Sequence, residues 1–243
     1  MDGDDLPCSW LRGNISGVAD LLAGFAFKST WYQKTGVRLL RGANIAPGAL
    51  DWSDQVRIDE GRAQEFAEYR LRYGDIVVAM DRPMISGGFK IARVLVEDEG
   101  VLLVQRVSRI RPTDQLDRGF AWHFLNCSIF IDHAMSTATG SDLPHISAND
   151  ILSAPIHLPP PAEQVQIARK LTVSFAWLDK IANEHARAEH LRPKLDQAIR
   201  AKAFRGELVP QDPDDEPAST LLERIRAERA EREQSRRRRA RST

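Results

Sequence analysis

From Pro161 to Phe204 the sequence runs without a glycine and is rich in Ala, Gln, Arg, Lys and Leu. Apolar residues recur at Leu171, Phe175, Leu178 and Ala182, then at Leu191, Leu195, Ala198 and Ile199. That spacing of three to four keeps one stripe along a helix. Pro161 suits a first helical turn, where its missing N–H costs little. Glu163 places a negative charge near the positive end of the helix dipole, and Gly206, just after "KAFR", suits the residue that ends a helix. Only Pro193 conflicts: an interior proline removes a hydrogen bond and predicts a kink or break costing about 3 kcal/mol. An unbroken helix of about 43 residues is roughly 64 Å long. One small domain cannot bury a stripe of that length, so the helix needs a partner helix, in cis or in trans.

What precedes the helix has another texture. Three consecutive prolines, Pro159 to Pro161, separate it from a region with frequent Gly, Pro, Asn and Asp. "DIVVAM" and "VLLVQRV" carry the β-branched enrichment of strands. "EDEG" between two apolar runs reads as a hairpin turn, with Gly100 at positive φ. Helices are expected within "DQVRIDEGRAQEFAEY" and "DQLDRGFAWHFLN". The mixture predicts an α+β fold: a mixed, mainly antiparallel sheet, then a long α-helix that forms an antiparallel helix pair or coiled coil. A second short helix is expected from about Ala218 to Gln234, with Leu221, Leu222 and Ile225 at its start, and the final arginine run is expected to be disordered.

Charge and composition exclude several classes. The 243 residues hold 34 Lys and Arg against 34 Asp and Glu, so no global field draws the chain to nucleic acid or membrane. Any DNA contact must come from local patches. Two cysteines, Cys8 and Cys127, form no disulfide framework and fit a reducing, cytoplasmic setting. No apolar run approaches the ~20 residues that span a bilayer. The acidic N-terminus has no apolar core of a signal peptide.

Catalytic patterns are missing. The sequence has no phosphate-binding G-x-x-x-x-G-K-[ST] loop and no G-x-G-x-x-G. "GNISG" has the wrong spacing for a nucleophile elbow. His123 and Cys127, with His133 nearby, fall short of a closed zinc site and read as packing residues. The carboxylates from Asp212 to Glu216 lack the spacing and glycine of a calcium loop.

Binding chemistry remains. Gly24 to Ile45 interleaves Lys28, Lys34, Arg38 and Arg41 with Phe25, Phe27, Trp31 and Tyr32 and contains no acidic residue. Cations suit phosphates, and Arg or Asn can read base edges in pairs of hydrogen bonds. The plainer reading is a strand–loop–strand with core aromatics and solvated cations. In "MDRPMISGGFK", Arg82, Ser86 and Lys90 sit on a glycine-containing loop able to approach a groove. The candidate DNA contacts are therefore Lys28, Arg41, Asn44, Arg82, Ser86, Lys90 and His145. The candidate helix-packing residues are Leu171, Phe175, Leu178, Ala182, Leu191, Leu195 and Ile199.

Several segments together resemble the specificity subunit of type I restriction–modification systems. "LPCSWLRGNISGVADLLAGFAFKS" is similar to the opening of a target recognition domain, and "RLLRGANIAPGALDW" and "YRLRYGDIVVAM" to its internal motifs. "TGSDLPHISANDILSAPIHLPPPAEQVQIARKL" resembles its exit into a long helix, and "AFRGELVPQDPDDEPASTLLERIRAER" closes the match. The resemblance implies a target recognition domain over 1–158 and a spacer and dimerisation helix over 159–207. A turn and second helix over 208–234 and a basic tail over 235–243 complete the expected organisation.

The resemblance also implies a non-catalytic subunit that binds double-stranded DNA, reads half of a split target and holds no cofactor. Methylation of adenine with S-adenosylmethionine would belong to the modification subunits. ATP- and Mg-dependent translocation and cutting would belong to the restriction subunit. One recognition domain with one helix is half of the usual pattern, so a second half-subunit or a homodimer is expected. A two-fold homodimer implies an inverted-repeat target with a gap. The competing reading is a coiled-coil protein-interaction module without sequence-specific DNA binding. It explains the helix but not the ordered motifs before it.

Overall fold

Short β-branched runs between tight turns make the strands of the first part. The computed structural model describes residues 6–140, 142–210 and 212–241. β1 (Leu11–Asn14), β2 (Ala19–Ala23) and β3 (Val37–Leu40) come first. β4 (Ile45–Ala46) and β5 (Ala49–Leu50) form a hairpin whose Gly48 has φ 83°. β6 (Val56–Ile58) leads into α1 (Glu60–Ala63), capped by the Asp59 carboxylate, which accepts from the Arg62 N–H. Next come β7 (Ile76–Ala79), the hairpin of β8 (Met84–Ile85) and β9 (Gly88–Phe89), and β10 (Ile91–Arg93). β11 (Leu102–Leu103) and β12 (Val107–Pro112) precede three helices: α2 (Arg118–Leu125), α3 (Ser128–Thr137) and α4 (Ala148–Leu152). β13 (Pro155–Leu158) leads to α5 (Pro161–Phe204), and α6 (Ala218–Arg241) follows.

The central sheet has the order β10-β7-β12-β2, and all its neighbours are antiparallel. Ile76, Val77, Val78 and Ala79 of β7 are all fully buried, because both faces of this strand are covered. One face, through Ile76, Val78, Ile91 and Ile110, packs on Phe120, Phe130 and Ile151 of the three helices. The other, through Val77, Ala79 and Val107, packs on Leu40, Leu71 and Leu103. A second sheet, β11-β3-β6, pairs β11 parallel to β3 and β3 antiparallel to β6. β1 and β13 pair antiparallel with Leu11 opposite Leu158. The start of the domain thus lies beside the strand that feeds α5.

Two local expectations change, and one helix was not expected. "EDEG" is not a hairpin: β10 joins the central sheet, β11 joins the other, and Val96–Asp98 forms a 3₁₀ turn between them. Gly100 does have positive φ, 84°. Asp98 drives the difference, since its buried carboxylate accepts from Trp52 Nε1 at 2.7 Å and lies 3.5 Å from Arg38. The stretch expected to be one helix around 54–69 divides into β6, α1 and a 3₁₀ segment, Gln64–Tyr69. α3 escaped the sequence reading. His133, which the sequence places short of a metal site, bonds the Asp150 carbonyl at 3.1 Å from within α3.

The chain divides into two compact units, Met1–Trp177 and Leu178–Thr243. The first takes in the opening turns of α5, beyond the expected boundary at 158. Gln164 is the reason: it is 1% exposed. Its Oε1 accepts from the Asp117 N–H at 2.8 Å, and its Nε2 donates to the Pro159 and Gln115 carbonyls at 2.9 and 3.1 Å. Gly119 on α2 lets α5 approach, since a Cβ there would stand 3.1 Å from that of Ala168. His123 bonds Thr172 Oγ1 at 2.9 Å and stacks on Phe175.

In the second unit, α5 is assigned as helix through Pro193. It ends with Gly206 at φ 74°, the Gly206 N–H on Ala203 and the Glu207 N–H on Lys202, which is a Schellman motif. α6 runs to Arg241, past the expected end near Gln234, as a polar arginine- and glutamate-rich segment of good helix formers. Leu191, Leu195 and Ile199 of α5 and Leu221, Leu222 and Ile225 of α6 are exposed, so this unit does not bury the stripe. Among the described residues, no helix is long and apolar enough to cross a membrane.

Candidate nucleic-acid interface

Three loops converge beyond the ends of the central sheet. The segment after β7 (Met80 to Pro83), the turn between β11 and β12, and the loop from Thr139 to Ile146 are tied by backbone bonds. The Met80 N–H donates to Arg106 O at 2.8 Å, the Ile146 N–H to Met80 O at 2.9 Å, and the Arg82 N–H to Pro144 O at 2.8 Å. His145 and Thr139 exchange backbone bonds at 2.8 and 2.9 Å, which closes the third loop on itself.

Asp81 lies at the meeting point. Its Oδ1 accepts from His145 Nδ1 at 2.6 Å and from Arg106 Nη1 at 3.2 Å. Arg82 and Arg106 are the two non-glycine residues described with positive φ, at 45° and 66°. Each such conformation costs roughly 1–2 kcal/mol for an L-residue. Arg82 also precedes Pro83, which restricts its backbone further. Strained backbone of this kind concentrates where a side chain must be held in one place. Arg106 pairs with Asp81, and the charges of Arg82 and Asp81 both reach Lys90, so three cations share this neighbourhood with the Asp81 carboxylate. The cluster is therefore a local positive patch on a chain with no net charge.

The candidate residues from the sequence fall into distinct settings. Arg82 and His145 lie within the loop cluster. Ser86 is exposed at the tip of the β8–β9 hairpin, whose Gly87 and Gly88 pass close to Pro47. Lys90 belongs to the same neighbourhood, but its ammonium donates to the Gly42 carbonyl. Burial lowers its pKa below the ordinary value, as does the charge of Arg82, and Asp81 opposes them. Lys90 thus pins the Gly42–Asn44 turn before it offers charge to a ligand.

Asn44 does not present its amide to a ligand. It is 1% exposed, its Oδ1 accepts from the Arg41 N–H at 3.2 Å, and its Nδ2 donates to the Asp51 and Asp54 carbonyls. Arg41 pairs with the Asp54 carboxylate at 2.7 Å. Both residues hold the 41–54 loop closed. Lys28 is exposed over the Trp31 ring, and Arg62 stands 4.5 Å from the same ring centroid. Phe25 and Phe27 pack with Phe66 and Tyr69, so the aromatics of this stretch serve the core. The packing candidates also divide: Leu171 is half-buried and Phe175 lies against His123, while Leu178, Ala182, Leu191, Leu195 and Ile199 are exposed.

Sequence reasoning missed Arg106 and Asp81. "VQRV" offers no glycine to mark a turn at positive φ, and Asp81 reads as an ordinary loop residue. Among the described residues, no group of three or more His, Cys, Asp or Glu is placed to hold a metal ion.

Residues 10–189 match the family described as the type I restriction modification DNA specificity domain. The chain belongs to this family. The type I restriction enzyme EcoAI specificity subunit of Escherichia coli is 34% identical over 178 residues, covering 73% of this chain and 30% of that protein. The MjaVIII specificity subunit of Methanocaldococcus jannaschii is 30% identical over 192 residues, covering 79% of this chain and 45% of that protein. The chain thus spans less than half the length of either relative.

Two solved structures share the fold. A chain from work on complex assembly of a type I R-M system superposes with TM-score 0.65 at 22% identity, covering 85% of this chain and 48% of that one. The HsdS subunit from Thermoanaerobacter tengcongensis gives TM-score 0.62 at 23% identity, covering 86% and 48%. The specificity-domain match takes in the whole loop cluster and α5 as far as Glu189.

Proposed function

We propose that this chain is a non-catalytic DNA-reading component of a type I restriction–modification complex. Its first unit recognises one half of a split target in double-stranded DNA. The observation that carries this reading is the specificity-domain match over residues 10–189. Within that span, Arg106 and the partly exposed His145 share the Asp81 carboxylate, next to Arg82, and both arginines have positive φ. Methylation with S-adenosylmethionine and ATP- and Mg-dependent cleavage belong to modification and restriction subunits that the chain recruits in the cytoplasm. The exposed stripe of Leu178, Leu191, Leu195 and Ile199 supports pairing of α5 with a second half-subunit or a second copy of this chain. A two-fold pair would read an inverted repeat.

Zero formal charge restricts how tightly the chain alone can hold DNA. Phosphate neutralisation supplies most of the sequence-independent affinity, and one cation of the patch, Lys90, is already committed to the Gly42 carbonyl. Binding by the isolated chain is therefore weak, and a modification subunit supplies the missing phosphate contacts. Fluorescence anisotropy titration of labelled duplex, with and without a modification subunit, tests this. Much tighter binding in the complex is expected, and equal affinity in both states would refute the division of labour.

A further inference from the structure

We propose that Arg106 and His145 read base edges and that Asp81 is the positioning residue that aims both. The inference rests on the DNA-reading role proposed above and assigns part of it to named side chains. Three observations carry it. Arg106 occupies the second corner of the turn Val104–Val107 at φ 66°, and the Val107 N–H closes that turn on Val104 O at 3.2 Å. Such a corner favours Gly or Asn. Arginine there strains the backbone, and with its side chain 60% exposed burial does not offset that strain.

Next, one carboxylate oxygen orients both side chains. The Asp81 carboxylate is acceptor-only, so at 2.6 Å His145 Nδ1 is the donor. In the neutral ring that leaves Nε2 as an acceptor for an exocyclic base amino group. Arg106 uses Nη1 on the same oxygen and has no other side-chain partner among the described residues. The rest of its donor fork remains available for the paired contact that guanine O6 and N7 accept.

The third observation is the sign of the charge. Asp81 is 43% exposed within the patch. A carboxylate repels phosphate, so a device built only to grip the DNA backbone would exclude it. Fixing the direction of a guanidinium and an imidazole is what base reading needs and phosphate binding does not.

The test uses the full chain with a modification subunit and a random-sequence duplex pool. Wild type is expected to enrich one motif, and the selected duplex, its single-base variants and a scrambled duplex are then titrated. Arg106→Gly fits the positive φ and is expected to keep the wild-type melting temperature. Arg106→Asn, also tolerated at positive φ, is the second variant should the first fold poorly. Either is expected to bind the scrambled duplex like wild type and to lose about tenfold or more on the selected one, with discrimination lost at one base pair.

Asp81→Ala is expected to broaden preference at the Arg106 and His145 positions together, with partial recovery in Asp81→Asn. A merely structural role would lower the melting temperature and leave base preference intact, which would overturn the assignment. Equal losses on every duplex, with a smaller salt dependence, would make Arg106 a phosphate contact and also overturn it. Failure of wild type to enrich any motif would instead remove the DNA-reading role itself.

Discussion

Replacing Gln164 with alanine perturbs the joint between the sheet-bearing unit and α5 at its best-buried polar group. The side chain is 1% exposed and makes three hydrogen bonds, to the Asp117 N–H and to the Gln115 and Pro159 carbonyls. Truncation leaves one donor and two acceptors without this partner. A buried group left unsatisfied costs about 1–3 kcal/mol. Water entering the vacated space relieves part of that, so the expected loss is about 3 kcal/mol. Domain stabilities are about 5–15 kcal/mol, so the change is large yet leaves a folded protein to measure. With a urea slope of about 2 kcal/mol/M, the unfolding midpoint drops by about 1.5 M at unchanged slope. Gln164→Glu keeps the acceptor for Asp117 but turns a carboxylate toward two carbonyls, and is expected to be at least as damaging. A loss below about 1 kcal/mol for Gln164→Ala would refute the claim that this side chain fastens α5 to the domain.

Stability should also respond to pH through His123. Burial, then the charge of Arg93, lowers its pKa below 6.5, and a hydrogen bond to the Ala168 backbone opposes them. The folded state thus favours the neutral ring. Its contribution is present above pH 6.5 and lost as pH falls from there toward the lower folded value. Urea titrations at pH 7.5 and 5.5 should show that loss, and His123→Gln should reduce it. Gly24→Ala should cost more than about 3 kcal/mol, because its Cβ would overlap the Val104 carbonyl and lie 2.8 Å from the Leu103 carbonyl carbon. Gly17→Ala meets nothing within 4 Å and should be tolerated in the same expression and melting assay. Asp75 is 2% exposed and takes two 2.7 Å bonds from Arg111. Asp75→Ala should cost about 3 kcal/mol by urea unfolding, and Asp75→Ala with Arg111→Met should recover part of it.

The long helix is legible in the sequence because its signals are local: a stripe of spacing three to four, a proline at the start and a glycine at the end. Pro193 does not end the assigned helix. Legibility fails where partners are distant in sequence. Nothing around Gln164 announces that it reaches back to Gln115 and Asp117. The "EDEG" turn looks like a hairpin until Trp52 claims Asp98. Asn44 and Arg41 have the chemistry of base readers, yet the loop they belong to uses them to close itself. Arg82 and Lys90 could be found because a glycine-containing loop carries them. Arg106 and Asp81 could not, because their meaning comes from a strained turn and a shared oxygen that only the fold brings together.

The central claim is that this chain confers DNA sequence specificity on a modification subunit. Its most direct test is to express a type I modification subunit with and without the chain in a host lacking adenine methylation, then to map methylated adenines across the genome. The expected result is methylation at one motif that appears only when the chain is present. Methylation that is absent in both cases although the two proteins co-purify, or identical without the chain, would contradict the account.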